Sequence, residues 1–334
     1  MTVACKVCDS QETRRLFESR DRVHGFPGTF TVYRCYRCFA IFYEPRLTAE
    51  ELSSYYPENY SRYRYSRSLD RKNYTGLRRY VLENYYGYPS KKNNRPSSIK
   101  KGLGFILSFV MAKDAIPYQG EGKFLDVGCA SGSHLYRLRS WGWKSYGVEP
   151  SEKGVRMARE MGLNVFHGEL ADARFPDSFF DVVQLKDVLE HLVDPHAVMN
   201  EIRRILKPDG LVYITLPNSR GPSFWLFREN WFNLEVPRHV ISYSPKTLRF
   251  LCATTGFQII KIRYRSGAFN FVRSVQYFLE EKGRDWPAWL HRIDWPRNKL
   301  IRRTLKPFFF LVDMVGFGDV MMATLKKTPT SAER

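Results

Sequence analysis

Apolar and polar residues change their pattern near residue 120, where irregular spacing gives way to alternating strand-like and helix-like segments. Helical spacing of apolar residues predicts helices over 195–206 and 245–255. Strands that alternate with helices favour an α/β fold built on a mostly parallel sheet. The short apolar runs that predict strands are 123–128, 145–148, 210–216, 256–264 and 318–325.

Four of the six cysteines precede that region and form two close pairs, Cys5 with Cys8 and Cys35 with Cys38. Four thiolates at this spacing complete the tetrahedral shell of a structural zinc ion or of a rubredoxin-like iron site. Two disulfides or four free thiols are the alternatives, and a reducing cytoplasm disfavours the disulfides. Alternating runs over 29–34 and 39–43 predict the strands of a small zinc ribbon, with His24 in a loop rather than as a ligand.

A glycine-containing turn follows the first predicted strand of the core, with the sequence Gly128-Cys129-Ala130-Ser131-Gly132. Glycines at such a turn let a ligand approach the backbone closely. Glu149 closes the next strand, about 20 residues after the turn, where an acidic side chain can accept hydrogen bonds from both hydroxyls of a ribose. The turn lacks the G-x-G-x-x-G spacing of dinucleotide-binding enzymes, so a different cofactor class is favoured.

An ordered set of motifs resembles those of the class I S-adenosylmethionine-dependent methyltransferases. The motifs are Leu125-Asp126-Val127-Gly128-Cys129-Ala130-Ser131-Gly132, Gly147-Val148-Glu149-Pro150-Ser151, Phe180-Asp181-Val182-Val183, Asp187-Val188-Leu189-Glu190-His191 with Asp194-Pro195, and Leu206-Lys207-Pro208-Asp209-Gly210 leading to Ile214-Thr215-Leu216-Pro217-Asn218. The resemblance covers residues 120–264. It implies a doubly wound, mostly parallel, seven-stranded Rossmann-like sheet with an antiparallel hairpin at one edge. It also implies S-adenosylmethionine as the cofactor and methyl transfer as the reaction.

The same resemblance implies a cofactor site, residue by residue. Asp126 would fix the turn, the turn itself would hold the methionyl part, and Glu149 would hold the ribose hydroxyls. Ala130 departs from the family, where glycine is common, and alanine fits there if its φ is negative. The full implied set is Asp126, Gly128, Cys129, Ala130, Gly132, Glu149, Pro150, Glu169, Leu170, Leu185, Lys186 and Asp187.

Candidate catalytic residues come from the segment 218–243 and from the Glu190-His191 motif. Ligands of doubly wound sheets lie beyond the carboxyl ends of the strands, so 218–243 is the expected substrate wall. A sugar hydroxyl needs a general base, for which His239 is the first candidate and His191 the second, with Glu190 behind them. The wall has a mix suited to a carbohydrate, although each aromatic is equally a candidate for the core. Its residues are Trp225, Trp231, Phe232, Glu235, Pro237, Arg238, His239 and Tyr243.

A narrower resemblance concerns the acceptor. The four-cysteine module, the class I core and a Pro-x-His turn followed by Tyr243-Ser244-Pro245 resemble bacterial methyltransferases of sugar and surface-polysaccharide biosynthesis. This implies a nucleotide-linked or lipid-linked saccharide acceptor, methylated at a hydroxyl or at carbon. A binding module without turnover is a further alternative, which the intact turn and Glu149 disfavour.

The net charge of +19 over 334 residues is unevenly distributed. Residues 120–260 carry only +1, whereas 60–101 carry +10 and 261–306 carry +8. Tyrosines alternate with arginines in the first basic segment, so an RNA methyltransferase with a zinc ribbon is the runner-up function. The sequence has neither an Asn-Pro-Pro-Tyr base-methylation motif nor a recognisable RNA-binding domain, which disfavours that alternative.

The second basic segment also carries Trp286, Trp289, Trp295 and Phe308 to Phe310. This composition suits an interfacial element on anionic lipid or, alternatively, a solvated helical lid. No run is long and apolar enough to span a bilayer and the first residues lack a secretion signal, so we expect a cytoplasmic protein that can contact the inner face of the membrane. The predicted domains are a zinc-ribbon-like module over 1–59, a basic connector over 60–119, the cofactor-binding core over 120–264, a helical insertion over 265–317, and the last strand and tail over 318–334.

Overall fold

A computed structural model describes residues 3–57, 76–90, 96–111, 115–281 and 298–329. The described residues contain one sheet of seven strands and one of four. They divide into two compact units. The first unit draws on Met1–Glu58, Leu185–Arg203 and Tyr213–Arg334, and the second draws on Asn59–Gln184 and Arg204–Val212.

The secondary structure follows the alternation seen in the sequence. The strands are β1 (Thr13–Ser19), β2 (Phe30–Cys35), β3 (Ile41–Glu44), β4 (Lys123–Val127), β5 (Lys144–Glu149), β6 (Asn164–His167), β7 (Phe180–Lys186), β8 (Leu206–Pro217), β9 (Ile241–Ser242), β10 (Phe257–Arg265) and β11 (Val320–Lys327). The helices are α1 (Ala49–Ser53), α2 (Gly76–Asn84), α3 (Ser98–Met111), α4 (Ser133–Ser140), α5 (Glu152–Glu160), α6 (Pro195–Ile205), α7 (Pro222–Phe227), α8 (Pro245–Thr254), α9 (Ala268–Glu281), α10 (Lys299–Thr304) and α11 (Lys306–Met314). No helix among the described residues has the length and apolar character needed to cross a membrane.

The seven-stranded sheet has the order β10-β11-β8-β7-β4-β5-β6. Strands β4, β5 and β6 pair in parallel, and β10 pairs with β11 in antiparallel fashion at the edge. The sheet therefore has the predicted Rossmann-like class I architecture, with its strand order reversing between β4 and β7. Ligands of such sheets bind at the carboxyl ends of the strands beside this reversal.

One predicted boundary in this sheet is wrong. The sequence pattern placed a helix to residue 206 and a strand from 210, but α6 ends at Ile205 and β8 begins directly at Leu206. Lys207 precedes Pro208, and a residue before proline disfavours helical backbone because its own atoms clash with the proline ring. The chain is therefore extended from this point. The other predicted core elements lie within two residues of their expected ends.

The four-stranded sheet has the order β1-β2-β3-β9 and contains the strands predicted for the ribbon. Its fourth strand is β9, which follows β8 in the chain and pairs with β3 through Ile41 and Phe42. Side chains from Phe30, Val32 and Tyr43 share one hydrophobic cluster with Phe224 and Trp231. The sequence pattern missed this strand because a two-residue strand has no recognisable periodicity.

Candidate active site

The glycine turn after β4 belongs to the second compact unit. Gly128 and Gly132 have φ values of +70° and +73°, in the left-handed region that glycine tolerates. Gly132 also begins α4, and a Cβ added there would lie 2.6 Å from Leu163 Cδ1 and 2.8 Å from Ala158 Cβ. Only glycine therefore fits at position 132.

Ala130 lies in the middle of the turn and has a φ of +49°. The negative φ that the sequence analysis required for an alanine here is therefore not met. A non-glycine residue in this region costs on the order of 1–2 kcal/mol. The Ala130 N–H donates a hydrogen bond of 2.8 Å to Oε2 of Glu149, and this bond opposes the strain. The strained residue is thus held by the same carboxylate that is predicted to bind the ribose.

Glu149 is almost fully buried at the end of β5. Its Oε2 accepts from Ala130 N–H, and its Oε1 accepts from Ser151 N–H at 2.9 Å. Burial raises the pKa of this carboxyl, and the two N–H groups oppose the rise. Each carboxylate oxygen keeps lone pairs beyond these bonds, so both can accept a ribose hydroxyl. The turn and Glu149 therefore fit a nucleoside cofactor such as S-adenosylmethionine.

The other residues implied to bind the cofactor differ in exposure. Asp126, Cys129 and Leu170 are buried, whereas Pro150 and Glu169 are exposed. Burial raises the pKa of the Cys129 thiol, which therefore stays protonated and packs on Gly147. Leu185 and Lys186 end β7 and Asp187 follows it, all within the first compact unit. The role of all these residues stays a prediction.

The three candidate catalytic residues lie together in the first compact unit. Glu190 and His191 come from a 3-10 turn over Leu189–His191, and His239 comes from the segment before β9. One donor atom from each side chain lies within 4.8 Å of the others, and the two imidazole rings are 4.7 Å apart at 80°. Two imidazoles and a carboxylate also match the donor types of a divalent transition-metal site.

Hydrogen bonds to Nδ1 define the tautomer of both histidines. His239 Nδ1 lies 2.7 Å from the Asn233 carbonyl oxygen, and His191 Nδ1 lies 3.0 Å from the Arg238 carbonyl oxygen. A carbonyl only accepts, so Nδ1 carries the proton in each neutral ring and Nε2 keeps its lone pair. Tyr56 adds a hydroxyl at 3.0 Å from His191 Nδ1. In this tautomer Nε2 of each ring keeps a lone pair, and the Nε2 of His239 is buried 3.5 Å from Oε2 of Glu235.

Two residues of the predicted substrate wall, Trp231 and Tyr243, are completely or almost completely buried. They belong to the core, which was the alternative for each aromatic. Trp225, by contrast, is 44% exposed and lies under the guanidinium of Arg34 at 4.9 Å. Arg238 is fully buried and pairs with Asp21, a partner 217 residues away that no sequence signal indicated.

The four N-terminal cysteines converge in the first unit, as their spacing predicts. Cys5 Sγ lies 3.5 Å from Cys38 Sγ, Cys8 Sγ lies 3.5 Å from Cys35 Sγ, and all four sulfur atoms are within 4.8 Å of one another. None of the four forms a disulfide. A Zn–S bond of about 2.3 Å puts tetrahedral sulfurs roughly 3.8 Å apart, so the cluster has the size of a zinc shell. His24 is exposed in a loop and is not part of the cluster.

The basic segments are described only in part. The tyrosine- and arginine-rich stretch over 60–75 and the residues Trp286, Trp289 and Trp295 lie outside the described residues. Helix α11 is described, and it exposes Phe308, Phe310 and Leu311 by 52%, 62% and 62%, while Phe309 is buried. The exposed basic residues Arg303 and Lys306 lie just before or at the start of this helix.

Comparison with known proteins identifies relatives of the chain. A family model described as "Methyltransferase domain" matches residues 93–262, just over half of the chain. The ubiquinone biosynthesis O-methyltransferase of Idiomarina loihiensis is 30% identical over 131 residues, which are 37% of this chain and 51% of that protein. The protein of the same name from Thiobacillus denitrificans is 34% identical over 119 residues, which are 33% of this chain and 50% of that protein. The chain thus spans about half the length of these curated relatives.

Solved structures of S-adenosylmethionine-dependent methyltransferases are also similar to the chain. The one from Archaeoglobus fulgidus is 21% identical with a TM-score of 0.43, and it covers 63% of this chain and 88% of its own. The one from Mesorhizobium loti is 13% identical with a TM-score of 0.43, and it covers 64% of this chain and 94% of its own.

Proposed function

The chain belongs to the methyltransferase-domain family, and we propose that this S-adenosylmethionine-dependent enzyme methylates a hydroxyl group of a saccharide carried on a nucleotide or a lipid. The observation that carries the proposal is the group formed by Glu190, His191 and His239, in which both histidines keep Nε2 as a proton acceptor. A hydroxyl acceptor requires such a group, because its proton must leave as the new bond forms.

When bound, S-adenosylmethionine would supply the methyl group from its sulfonium, and S-adenosylhomocysteine would be the leaving group. His239 Nε2 accepts the hydroxyl proton, and the Nδ1 bond to the Asn233 carbonyl keeps the ring in the tautomer that can do so. Glu190 and Glu235 lie beside the ring and stabilise the positive charge that it gains. A positioned base of this kind contributes about 100- to 10,000-fold to the rate. His191 is the second candidate for the base, since its ring lies 4.7 Å from that of His239.

Two acceptor classes compete. The four-cysteine module and the Pro-Arg-His turn support a saccharide, through the resemblance to sugar methyltransferases. The relatives in the comparison are named as ubiquinone biosynthesis O-methyltransferases, which supports a ubiquinone precursor as the second candidate. Both acceptors offer a hydroxyl, so the proposed chemistry at His239 is the same for either.

A structural zinc ion in the four-cysteine cluster is part of the proposal. The sulfur separations support four-sulfur coordination, which leaves no open position for a substrate. Contact with an anionic membrane is also part of it, because α11 exposes four large apolar side chains, three of them close to Arg303 and Lys306 in the chain. Apolar side chains beside basic ones are typical of interfacial helices.

The test is methyl transfer from radiolabelled S-adenosylmethionine to isolated fractions of nucleotide sugars, lipid-linked saccharides, quinone precursors and RNA. Label in either saccharide fraction is expected, and His239→Gln should lower it by about 100-fold or more. Label in the quinone fraction alone would show that the acceptor is a ubiquinone precursor, the second candidate. Label in RNA alone would overturn the proposed function.

A further inference from the structure

We infer that Asp21 and Arg238 are positioning residues for the His191–His239 pair, and that the N-terminal module thereby forms part of the catalytic apparatus. The inference rests on the proposed function for the role of the two histidines. The atoms that carry it all belong to the first compact unit. They link a loop of the four-cysteine module to the segment before β9.

Arg238 is held from three sides. Its Nη1 and Nη2 donate to Asp21 Oδ2 and Oδ1 at 2.9 and 2.7 Å, its Nε donates to Glu235 Oε1 at 3.0 Å, and its Nη1 also reaches the Tyr55 carbonyl at 3.1 Å. The guanidinium is fully buried. A buried, bidentate arginine–carboxylate pair fixes both position and orientation. Arg238 therefore has one available geometry.

Asp21 is equally fixed, by its own loop. Its carboxylate accepts from the backbone N–H groups of Val23, His24 and Phe26 at 3.0, 3.1 and 3.3 Å. Burial alone would raise the pKa of this carboxyl, but the hydrogen bonds from Arg238 and from the backbone lower it. The carboxylate is ionised and anchored, so the module supplies a rigid anchor point for Arg238.

The position of Arg238 determines the surroundings of both imidazoles. Its carbonyl oxygen is the partner of His191 Nδ1, and His239 is the next residue in the chain. Glu235 contacts both Arg238 and His239. Its Oε1 accepts a hydrogen bond from Arg238 Nε, and its Oε2 lies 3.5 Å from His239 Nε2. A displacement of Arg238 therefore changes the tautomer partner of one histidine and the charge beside the other.

The two histidines face several charged and titratable groups. His191 faces Tyr56, Glu190 and His239, and His239 faces Glu235 in addition. Asp21→Asn removes a negative charge on the far side of Arg238 and leaves the arginine charge less balanced. Added positive charge disfavours protonation of a neighbouring imidazole. The pH at which kcat falls to half its maximum on the acid side should therefore move to lower pH.

The experiment compares Asp21→Asn and Arg238→Lys with Arg22→Gln in the full-length protein. Arg22 is the next residue of the same loop and pairs with Glu281 at 2.8 Å, so its variant removes a neighbouring ion pair without touching the histidine network. We expect kcat to fall about tenfold or more in the two test variants. The affinity for S-adenosylmethionine, measured by calorimetry, should stay within twofold or so of the wild type. Arg22→Gln should change neither quantity.

A second readout needs no acceptor. Histidine labelled with ¹⁵N reports the tautomer of each ring, and His191→Gln and His239→Gln assign the two signals. We expect the His191 and His239 shifts to move in Asp21→Asn and to keep their wild-type values in Arg22→Gln. Should Asp21→Asn fail to fold, Arg238→Lys serves in its place, because lysine keeps a positive charge beside Asp21 and removes the bidentate geometry.

The outcomes separate this inference from the proposed function. Histidine shifts and turnover that both stay unchanged in Asp21→Asn, or in Arg238→Lys as its substitute, would overturn the inference and leave the proposed function standing. Shifts that move in a protein that methylates none of the tested hydroxyl acceptors would support the positioning role and overturn the proposed function. Loss of kcat without any movement of the shifts or of the pH profile would also overturn the inference, because a general loss of stability would explain it.

Discussion

Substitution of Gly132 by alanine should destabilise the cofactor-binding unit and lower its affinity for S-adenosylmethionine. The left-handed backbone at φ +73° costs an alanine on the order of 1–2 kcal/mol. The added Cβ also meets Leu163 Cδ1 at 2.6 Å and Ala158 Cβ at 2.8 Å, and overpacking of this kind costs about 1–3 kcal/mol. The two contributions together predict a loss of about 2–5 kcal/mol in the free energy of unfolding.

Gly162→Ala is the matched control for this prediction. Gly162 has a φ of +69°, close to that of Gly132, but among the described residues its added Cβ would have one neighbour within 4 Å, Arg139 Nη1 at 3.5 Å. The control therefore includes the backbone cost without the steric cost, and a loss of about 1–2 kcal/mol is expected. Urea unfolding measures both losses, and calorimetry measures the binding of S-adenosylmethionine, which only Gly132→Ala should weaken. Equal losses in the two variants would refute the steric argument.

Three further predictions concern the cluster, the surface and pH. Elemental analysis should find one zinc ion per chain. Cys35→Ser should release this zinc, whereas Cys252→Ser should retain it, because Cys252 is a buried cysteine outside the cluster. Iron instead of zinc would contradict the metal assignment. Replacement of Phe308 and Phe310 by aspartate should lower binding to phosphatidylglycerol vesicles by tenfold or more, since each buried phenylalanine contributes about 1.5–3 kcal/mol. Aspartate at Ile260, which is 48% exposed on β10, should leave vesicle binding unchanged. Equal binding by all variants would exclude α11 as the contact. Burial raises the pKa of Asp319 from 3.8 to about 6, so the folded protein binds this proton more tightly than the unfolded chain and is destabilised as pH rises from about 4 through 6, by roughly 3 kcal/mol. Asp319→Asn should remove that slope in urea unfolding, and an unchanged slope would show that another group titrates.

The parts of the fold that sequence predicted are those encoded over short distances. The glycine turn and Glu149 lie at the ends of two neighbouring strands, so their spacing alone predicts a cofactor site. The two cysteine pairs converge because each pair is a local structure and four thiolates share one requirement. In both cases, chemistry and short-range geometry point to the same residues.

The parts that sequence missed depend on contacts between distant segments. Pairing of β3 with β9 joins residues about 200 positions apart, and a two-residue strand leaves no pattern to detect. Trp231 looked equally suited to a sugar and to a core, and its position against Phe224 decides for the core. Ala130 likewise combines a positive φ with a hydrogen bond to Glu149, and no property of alanine indicates either.

The buried pair of Asp21 and Arg238 is a contact of this kind, and we assign a functional role to it. Burying two charges costs several kcal/mol per ion, and apolar residues of similar volume often stabilise a fold equally well. Stability alone is therefore a weak reason for a fully buried arginine whose partners include Asp21, Glu235 and the Tyr55 carbonyl. What the pair provides, and apolar side chains would not, is a fixed orientation of the backbone at Arg238, the carbonyl of which faces His191. The inferred positioning role requires this orientation, because the Arg238 carbonyl contacts His191 and His239 is the next residue in the chain.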